Sequence, residues 1–221
     1  MFTFFMNRSE AYKPGLAWFS AFALVFTVFP LAAGGFTTSI QAGMAFLDWP
    51  LSNGSLNPEG WTEDPHQLAE HSHRLLAKIL GILSIILVVW TQWVEDRRWV
   101  RNLAWGIFGM VVFQGLLGGL RVLLDRLNIQ TDHNMIAQTF AILHATCAQI
   151  VVMLLVSIAL ATSRFWIDRR AGLKMPVDST TRNLGLASVA ALLLQVVLGA
   201  IMRHNHAGLA IPTFPLTPEG G

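Results

Sequence analysis

Two histidines stand out by where they fall. His73, in Glu70-His71-Ser72-His73-Arg74, and His144, in Leu143-His144-Ala145, lie in or at the edge of long apolar runs that carry almost no other ionisable groups. Ionisable side chains at membrane depth are costly, which makes each a candidate functional residue. Imidazole is the commonest protein ligand for haem iron and other transition metals, so the chemistry to expect of the pair is axial ligation of a metal centre inside a membrane. Glu70 lies three residues before His73 and Arg74 directly after it, on adjoining positions of one helical turn. A carboxylate there can orient a ligand, move protons or meet a developing cation, and a guanidinium can hold a haem propionate bidentately. An ion pair at a helix start would use the same two residues. His71 points about 200° away from His73 on the same helix, which makes it the weaker candidate.

The elements that must position these residues are membrane helices. Of the 221 residues, 53% are hydrophobic and only 13% charged, against roughly 25% charged in a typical soluble domain. Five stretches approach or exceed the ~20 apolar residues needed to cross a bilayer: about Leu16 to Ala33, Leu75 to Val94, Leu103 to Leu124, Ile136 to Ala161 and Leu184 to Met202. The expected class is an all-α membrane protein. The first span begins too late, and continues too far without a small-residue cleavage site, to read as a removable signal peptide, and the leader lacks an Arg/Ser-rich transit pattern. A bacterial plasma membrane is the expected location. Ten of the fifteen Lys and Arg residues fall on one side, before helix 1 and in the helix 2–3 and 4–5 connections, while the loop after helix 1 carries Asp48, Glu59, Glu63 and Asp64. Translocated loops exclude positive charge, so the N-terminus is expected in the cytoplasm. The same bias accounts for the net charge of +2 and the pI near 9.1, with no nucleic-acid partner required.

Counting back from the basic helix ends gives 24 residues from Arg97 to His73 and 20 from Arg164 to His144. At 1.5 Å per residue the two differ in depth by about 6 Å, so one porphyrin could span them within a four-helix bundle. Two unrelated histidines in polar contacts between helices are the plainer alternative. His204 and His206 could share an ion, but a metal site wants three or four ligands, and residues facing water or a haem edge are the better expectation. His66 and His133 are loop residues with no visible partner. Cys147, the one cysteine, falls within helix 4 and cannot form an intrachain disulfide; packing is its expected role. Trp61, Trp90, Trp93, Trp99 and Trp166 fit interface anchoring.

The chain also repeats itself. Ala42-Gly43-Met44-Ala45, then three residues, then Trp49-Pro50-Leu51, is matched by Ala207-Gly208-Leu209-Ala210, three residues, and Phe214-Pro215-Leu216. Each copy follows a helix with a glycine near its end, Gly35 and Gly199, and Gln114 to Gly119 in helix 3 echoes Gln195 to Ala200 in helix 5. Residues 1–170 are therefore expected to form an N-terminal four-helix bundle, and residues 171–221 to begin a second, repeated one. The expectation is an incomplete version of an eight-helix protein, the alternative being a short form that pairs with another copy of itself.

Taken together, Gly34-Gly35 with Ala42-Gly43 and Asp48-Trp49-Pro50-Leu51, Glu70-x-x-His73-Arg74, Gln114-Gly-Leu-Leu-Gly-Gly-Leu-Arg121-Val, Leu143-His144-Ala145 and the second Ala-Gly-Leu-Ala-Ile-Pro-x-Phe-Pro-Leu resemble haem A synthase, the membrane enzyme that oxidises haem O to haem A for cytochrome oxidase. The resemblance covers nearly the whole chain, in order. It implies two similar four-helix bundles, each offering a histidine pair to a haem. His73 and His144 match the pair for the substrate haem O, Glu70 the residue important for turnover, and Arg74, Arg121 and Arg203 are the candidates for propionate or pocket contacts. A haem b cofactor is implied at the C-terminal pair, with ligands expected beyond residue 221. Implied partners are haem O synthase, cytochrome oxidase assembly factors, membrane lipid and a homo-oligomer. Some members carry cysteine pairs after helices 1 and 5; Phe46 and Ser52 stand near the first pair, which suggests a cysteine-free branch. The implied chemistry is two successive oxidations of one haem methyl to a formyl group. The rival class is a bis-histidine b-type cytochrome that only transfers electrons, needing neither Glu70 nor room for a farnesylated haem. A transporter is disfavoured because Gly and Pro cluster at helix ends, and a di-iron hydroxylase because seven histidines are too few.

Overall fold

The computed structural model describes residues 12–127, 134–172, 177–205 and 207–209. Their helices are α1 (Pro14–Phe26), α2 (Val28–Ser39), α3 (Pro65–Val94), α4 (Arg98–Leu127), α5 (Met135–Thr162), α6 (Arg164–Gly172) and α7 (Ser179–His204), followed by a 3-10 turn at Ala207–Leu209. Five segments are long and apolar enough to cross a membrane: α1 and α2 together as Pro14–Ser39, then α3, α4, α5 and α7. The chain is an all-α membrane protein, and each expected span is present and extends beyond its apolar run.

Side-chain caps set where the helices begin. The Asp64 carboxylate accepts hydrogen bonds from the N–H groups of His66 (2.9 Å) and Gln67 (2.8 Å), and Pro65 occupies the first helical position, where no N–H is needed. This starts α3 ten residues before the apolar run at Leu75, so Glu70, His73 and Arg74 ride on the same rigid helix as the span. Asn134 caps α5 through Ala137 N–H at 3.1 Å, and Asp178 caps α7 through Thr181 N–H at 2.8 Å. The first span breaks at Thr27 because Pro30 has no N–H to return to a carbonyl of the preceding turn.

Helix α3 packs against α2 and α4, and α5 against α4 and α1, which closes a four-membered bundle; α7 lies along α5. Leu16, Leu80, Leu87, Val100, Ile107, Leu155 and Ile158 fill the half of this bundle nearer the 95–97 connection, leaving the other half to the histidines. Its outer faces expose large apolar side chains such as Ile82, Ile85, Phe113, Leu116 and Val156. Such a surface suits lipid and would aggregate in water. At the basic end, Arg97 donates to Glu95 (2.8 Å) and to the carbonyl of Ala161 (2.9 Å), tying the α3–α4 connection to the end of α5. Lys13 adds bonds to the Val94 carbonyl and to Asp96. Two of the tryptophans expected at the interface are half-buried and also touch rings of the protein: Trp61 lies tilted against His71 at 4.6 Å, and Trp90 lies against Phe19 at 5.4 Å and beside Gly15.

Candidate functional site

His73 on α3 and His144 on α5 are seated in the same way, each against a helix that packs beside its own. His73 Nδ1 lies 2.9 Å from the carbonyl oxygen of Pro30 on α2, and Gly34, one turn on, makes room for its ring: a Cβ there would come within 2.8 Å of His73 Cε1. His144 Nδ1 lies 3.1 Å from the carbonyl oxygen of Gln114 on α4, and Gly118, again four residues on, would place a Cβ 3.2 Å from His144 Cε1. A carbonyl only accepts, so each Nδ1 carries the proton and each Nε2 keeps a lone pair, the tautomer that ligates a metal.

The two ring centroids are 6.4 Å apart with planes at 84°. Imidazoles on opposite sides of one metal, with bonds of about 2.0 Å and each nitrogen about 1.1 Å ahead of its centroid, stand about 6.2 Å apart. Donor type, tautomer and spacing therefore fit one iron held from both sides. No group of three or more His, Cys, Asp or Glu converges among the described residues; a haem, whose macrocycle brings four nitrogens of its own, needs only two axial side chains. The offset of 165 that brings Ala42-Gly43 onto Ala207-Gly208 pairs Pro30 and Gly34 with Gln195 and Gly199. Gly34, the glycine against an imidazole, is thus the repeat's counterpart of Gly199, whereas Gly35 lies by Arg203.

Glu70 is 4% exposed. Its Oε2 accepts from Phe46 N–H at 3.0 Å and its Oε1 from Arg74 Nη2 at 2.5 Å. The other Nη donors of Arg74 reach the carbonyls of Asp48 (2.7 Å), Leu51 (2.5 Å) and Phe46 (3.2 Å). The pair forms a clasp that pins residues 46–51 to the start of α3, and both Nη groups of the guanidinium expected to grip a propionate are committed to it. Asp48 folds the same loop from within, accepting from Asn53 and Gly54 N–H at 2.8 Å each, across a turn whose φ values of 52° and 72° are left-handed. Burial pushes the Asp48 carboxyl up, but the two N–H groups and the Arg74 charge outweigh it and hold it below the ordinary aspartate value. His71, turned away from His73 as its helical phase requires, is fully buried with Nδ1 3.0 Å from Ser52 Oγ and its ring against Trp61 and Phe46. Phe46 and Ser52 are both 0% exposed, so these positions serve as the buried heart of the loop.

Arg121 rests against Gly43, where a Cβ would meet its guanidinium at 2.5 Å. With Thr38, Gln41, Asp125, Gln138 and His204 it lines a cavity of about 340 Å³ at the histidine end of the bundle. Arg203 instead donates to the Gly35 carbonyl and to Ser39 Oγ, bridging α7 to α2. Of the three arginine candidates, Arg121 is the one that lines this cavity. The His204 carbonyl accepts from Gln138 Nε2 at 2.8 Å, His66 is exposed, and His133 and His206 lie outside the described residues. Sequence reasoning passes over Pro30, Gly34, Gln114 and Gly118 as the seats of the histidines, and over Lys78, whose Nζ is buried without a hydrogen-bond partner one turn past Arg74. A lone charge in an apolar run, the signal that marks the histidines, marks Lys78 too.

Comparison with known proteins adds an independent line. The family described as "Cytochrome oxidase assembly protein", COX15-CtaA, matches residues 62–220. Similar curated proteins include the "Heme A synthase" of Rhodopseudomonas palustris (strain HaA2), 28% identical with 90% of this chain and 59% of the relative covered. That of Geobacillus kaustophilus (strain HTA426) is 28% identical over 91% and 60%, and that of Symbiobacterium thermophilum 30% identical over 83% and 57%. The chain spans about three-fifths of the length of these relatives. No solved structure matches it. The match covers most of the chain, the helix carrying His73 and the helix carrying His144 included, and the chain therefore belongs to the COX15-CtaA family of cytochrome oxidase assembly proteins.

Proposed function

We propose that this chain acts in haem A synthesis, oxidising a methyl group of haem O to a formyl group to give haem A for cytochrome c oxidase. The observation that carries the proposal is the pair of adjacent imidazoles, Nδ1 of each tied to a helix carbonyl and centroids 6.4 Å apart. In this reading haem O is the substrate, with its iron between His73 Nε2 and His144 Nε2 and its propionates toward Arg121. Each oxidation removes two electrons and two protons while water supplies the oxygen. The second leaves a hydrated aldehyde that loses water to the formyl group. Glu70 is the catalytic carboxylate, taking a proton from the reacting methyl or steadying positive charge that develops there, and Arg74 holds it in place. Haem b is the electron carrier that the resemblance implies at a second site. Residues 1–170 form the unit that carries the site and residues 171–221 begin the repeated one. The protein sits in a bacterial plasma membrane with its N-terminus in the cytoplasm, as the distribution of Lys and Arg supports.

The test is expression of the chain with haem O, extraction of the pigments, and optical spectra of the purified protein. Haem A accumulates with the wild type. His73→Met and His144→Met each alter the low-spin spectrum of bound haem, and an unchanged spectrum in either excludes that residue as a ligand. Haem O that is bound and reversibly reduced, with no haem A formed, points to an electron-carrying cytochrome and overturns the enzyme reading.

A further inference from the structure

Among the described residues three buried side-chain polar atoms have no hydrogen-bond partner, His71 Nε2, Lys78 Nζ and Gln114 Oε1, and the last of these sits against the ligand helix. Gln114 is 9% exposed, and it is tied twice to the ligand helix: its main-chain carbonyl receives His144 Nδ1, and its side-chain Nε2 donates to the main-chain carbonyl of His144 at 3.0 Å. A carbonyl can only accept, which settles the amide orientation and puts Nε2 on that contact. Oε1 is left buried with no hydrogen-bond partner. A buried acceptor without a donor costs roughly 1–3 kcal/mol, so this position calls for a donor that arrives with something else.

Its depth indicates which donor. Along α4, Gly118 touches the His144 ring, Arg121 lies three residues nearer the loop end, and Gln114 lies four residues deeper into the bundle, about 6 Å by helical rise. A macrocycle gripped by His73 and His144 with its propionates toward Arg121 turns its opposite edge toward Gln114. In haem O that edge carries the hydroxyethylfarnesyl substituent, whose hydroxyl is a hydrogen-bond donor that protohaem lacks.

We infer that Gln114 is a specificity-determining residue whose Oε1 accepts a hydrogen bond from the side-chain hydroxyl of haem O, distinguishing it from protohaem. The inference rests on haem O occupying the His73–His144 site. Only binding is involved; no bond is made or broken.

The experiment is equilibrium titration of the purified full chain in detergent with haem O and, separately, with protohaem, followed in the Soret band, for the wild type, Gln114→Leu and Gln114→Glu. The farnesyl chain itself favours haem O, but it does so equally in every variant and cancels when the ratio of the two dissociation constants is compared between variant and wild type. Losing the acceptor lowers the preference for haem O roughly three- to tenfold in Gln114→Leu. Gln114→Glu, protonated in its buried position, keeps both a donor for the His144 carbonyl and an acceptor, and retains the preference. A preference unchanged in Gln114→Leu, with both affinities falling together, means that Gln114 only positions His144 or meets a water, and overturns the inference while leaving the histidine site intact. Should Gln114→Leu fail to fold, loss of preference in Gln114→Met decides in its place. Absence of low-spin binding of either haem by the wild type removes the histidine site itself, and the inference with it.

Discussion

The glycine seats make a quantitative demand on the haem site. A Cβ at position 34 would stand 2.8 Å from His73 Cε1, 3.1 Å from Nδ1 and 3.3 Å from Nε2, all on a ring that is itself tied to α2 through the Pro30 carbonyl. Ordinary contact begins near 3.4 Å, so Gly34→Ala must drive the ring back by about 0.6 Å. Metal–ligand distances tolerate about 0.2 Å. The imidazole must therefore break its bond to Pro30, stretch its bond to iron, or push α3 away from α2. Overpacking of this kind costs about 1–3 kcal/mol, which corresponds to a five- to 150-fold loss of affinity for haem O, with part of the low-spin Soret band converting to high-spin. Gly118→Ala would place its Cβ 3.2 Å from His144 Cε1, short by only about 0.2 Å, and should lose far less. Gly81→Ala, on the same α3 but with nothing within 4 Å, should bind haem as the wild type does. Titration of the three purified variants ranks them Gly34, Gly118, Gly81 in order of damage. Equal affinity and an unchanged spectrum in Gly34→Ala would show that the ring is not held where its iron bond requires, and the ligation argument would fail.

Two further outcomes follow from the clasp and from the basic end. Glu70→Ala should keep haem bound yet stall formyl production, and it should loosen the 46–51 loop by removing the partner of Phe46 N–H and Arg74 Nη2; normal haem A yield in pigment extracts would take the carboxylate out of the chemistry. At the other end, burial pushes Glu95 up, but the Arg97 side chain and N–H outweigh it and hold Glu95 below the ordinary glutamate value of 4.5. A depressed folded-state value means the pair's contribution is complete above about pH 4.5 and is lost as pH falls through the lower folded value. The Glu95–Arg97 side chains are each 7% exposed, so Glu95→Gln should cost about 3 kcal/mol near neutral pH. In thermal unfolding the gap between variant and wild type should close on acidification below pH 4.5; a gap that persists unchanged at pH 3 would refute the assignment.

Most of the fold is legible in the sequence because lipid imposes a single coarse rule, that twenty or so consecutive residues be apolar. The runs from Leu16, Leu75, Leu103, Ile136 and Leu184 all become spans. What the rule misses lies where water or caps decide. Asp64-Pro65 starts α3 ten residues before the lipid-facing run, and the break at Thr27 depends on one missing N–H at Pro30. Helix α6 forms in a segment whose charge reads as a plain connection.

The site divides along the same line. His73 and His144 are conspicuous because an imidazole in lipid needs a reason. Their seats are made of groups with no side-chain chemistry to notice: the Pro30 and Gln114 carbonyls, and the missing Cβ atoms of Gly34 and Gly118. A helix carbonyl has a second lone pair beyond the one its ladder uses, and a glycine four residues on stands one turn above it on the same face. Carbonyl and glycine together make a slot that fixes an imidazole's tautomer and its plane, and the bundle uses that slot twice. The arginines differ in a way their type does not show. All three can grip a propionate, but both Nη groups of Arg74 are engaged by the 46–51 loop and Glu70, and Nη2 of Arg203 by the Gly35 carbonyl and Ser39 Oγ. Spacing brings a guanidinium near a site, and only the competing acceptors around it decide whether any donor remains for a ligand.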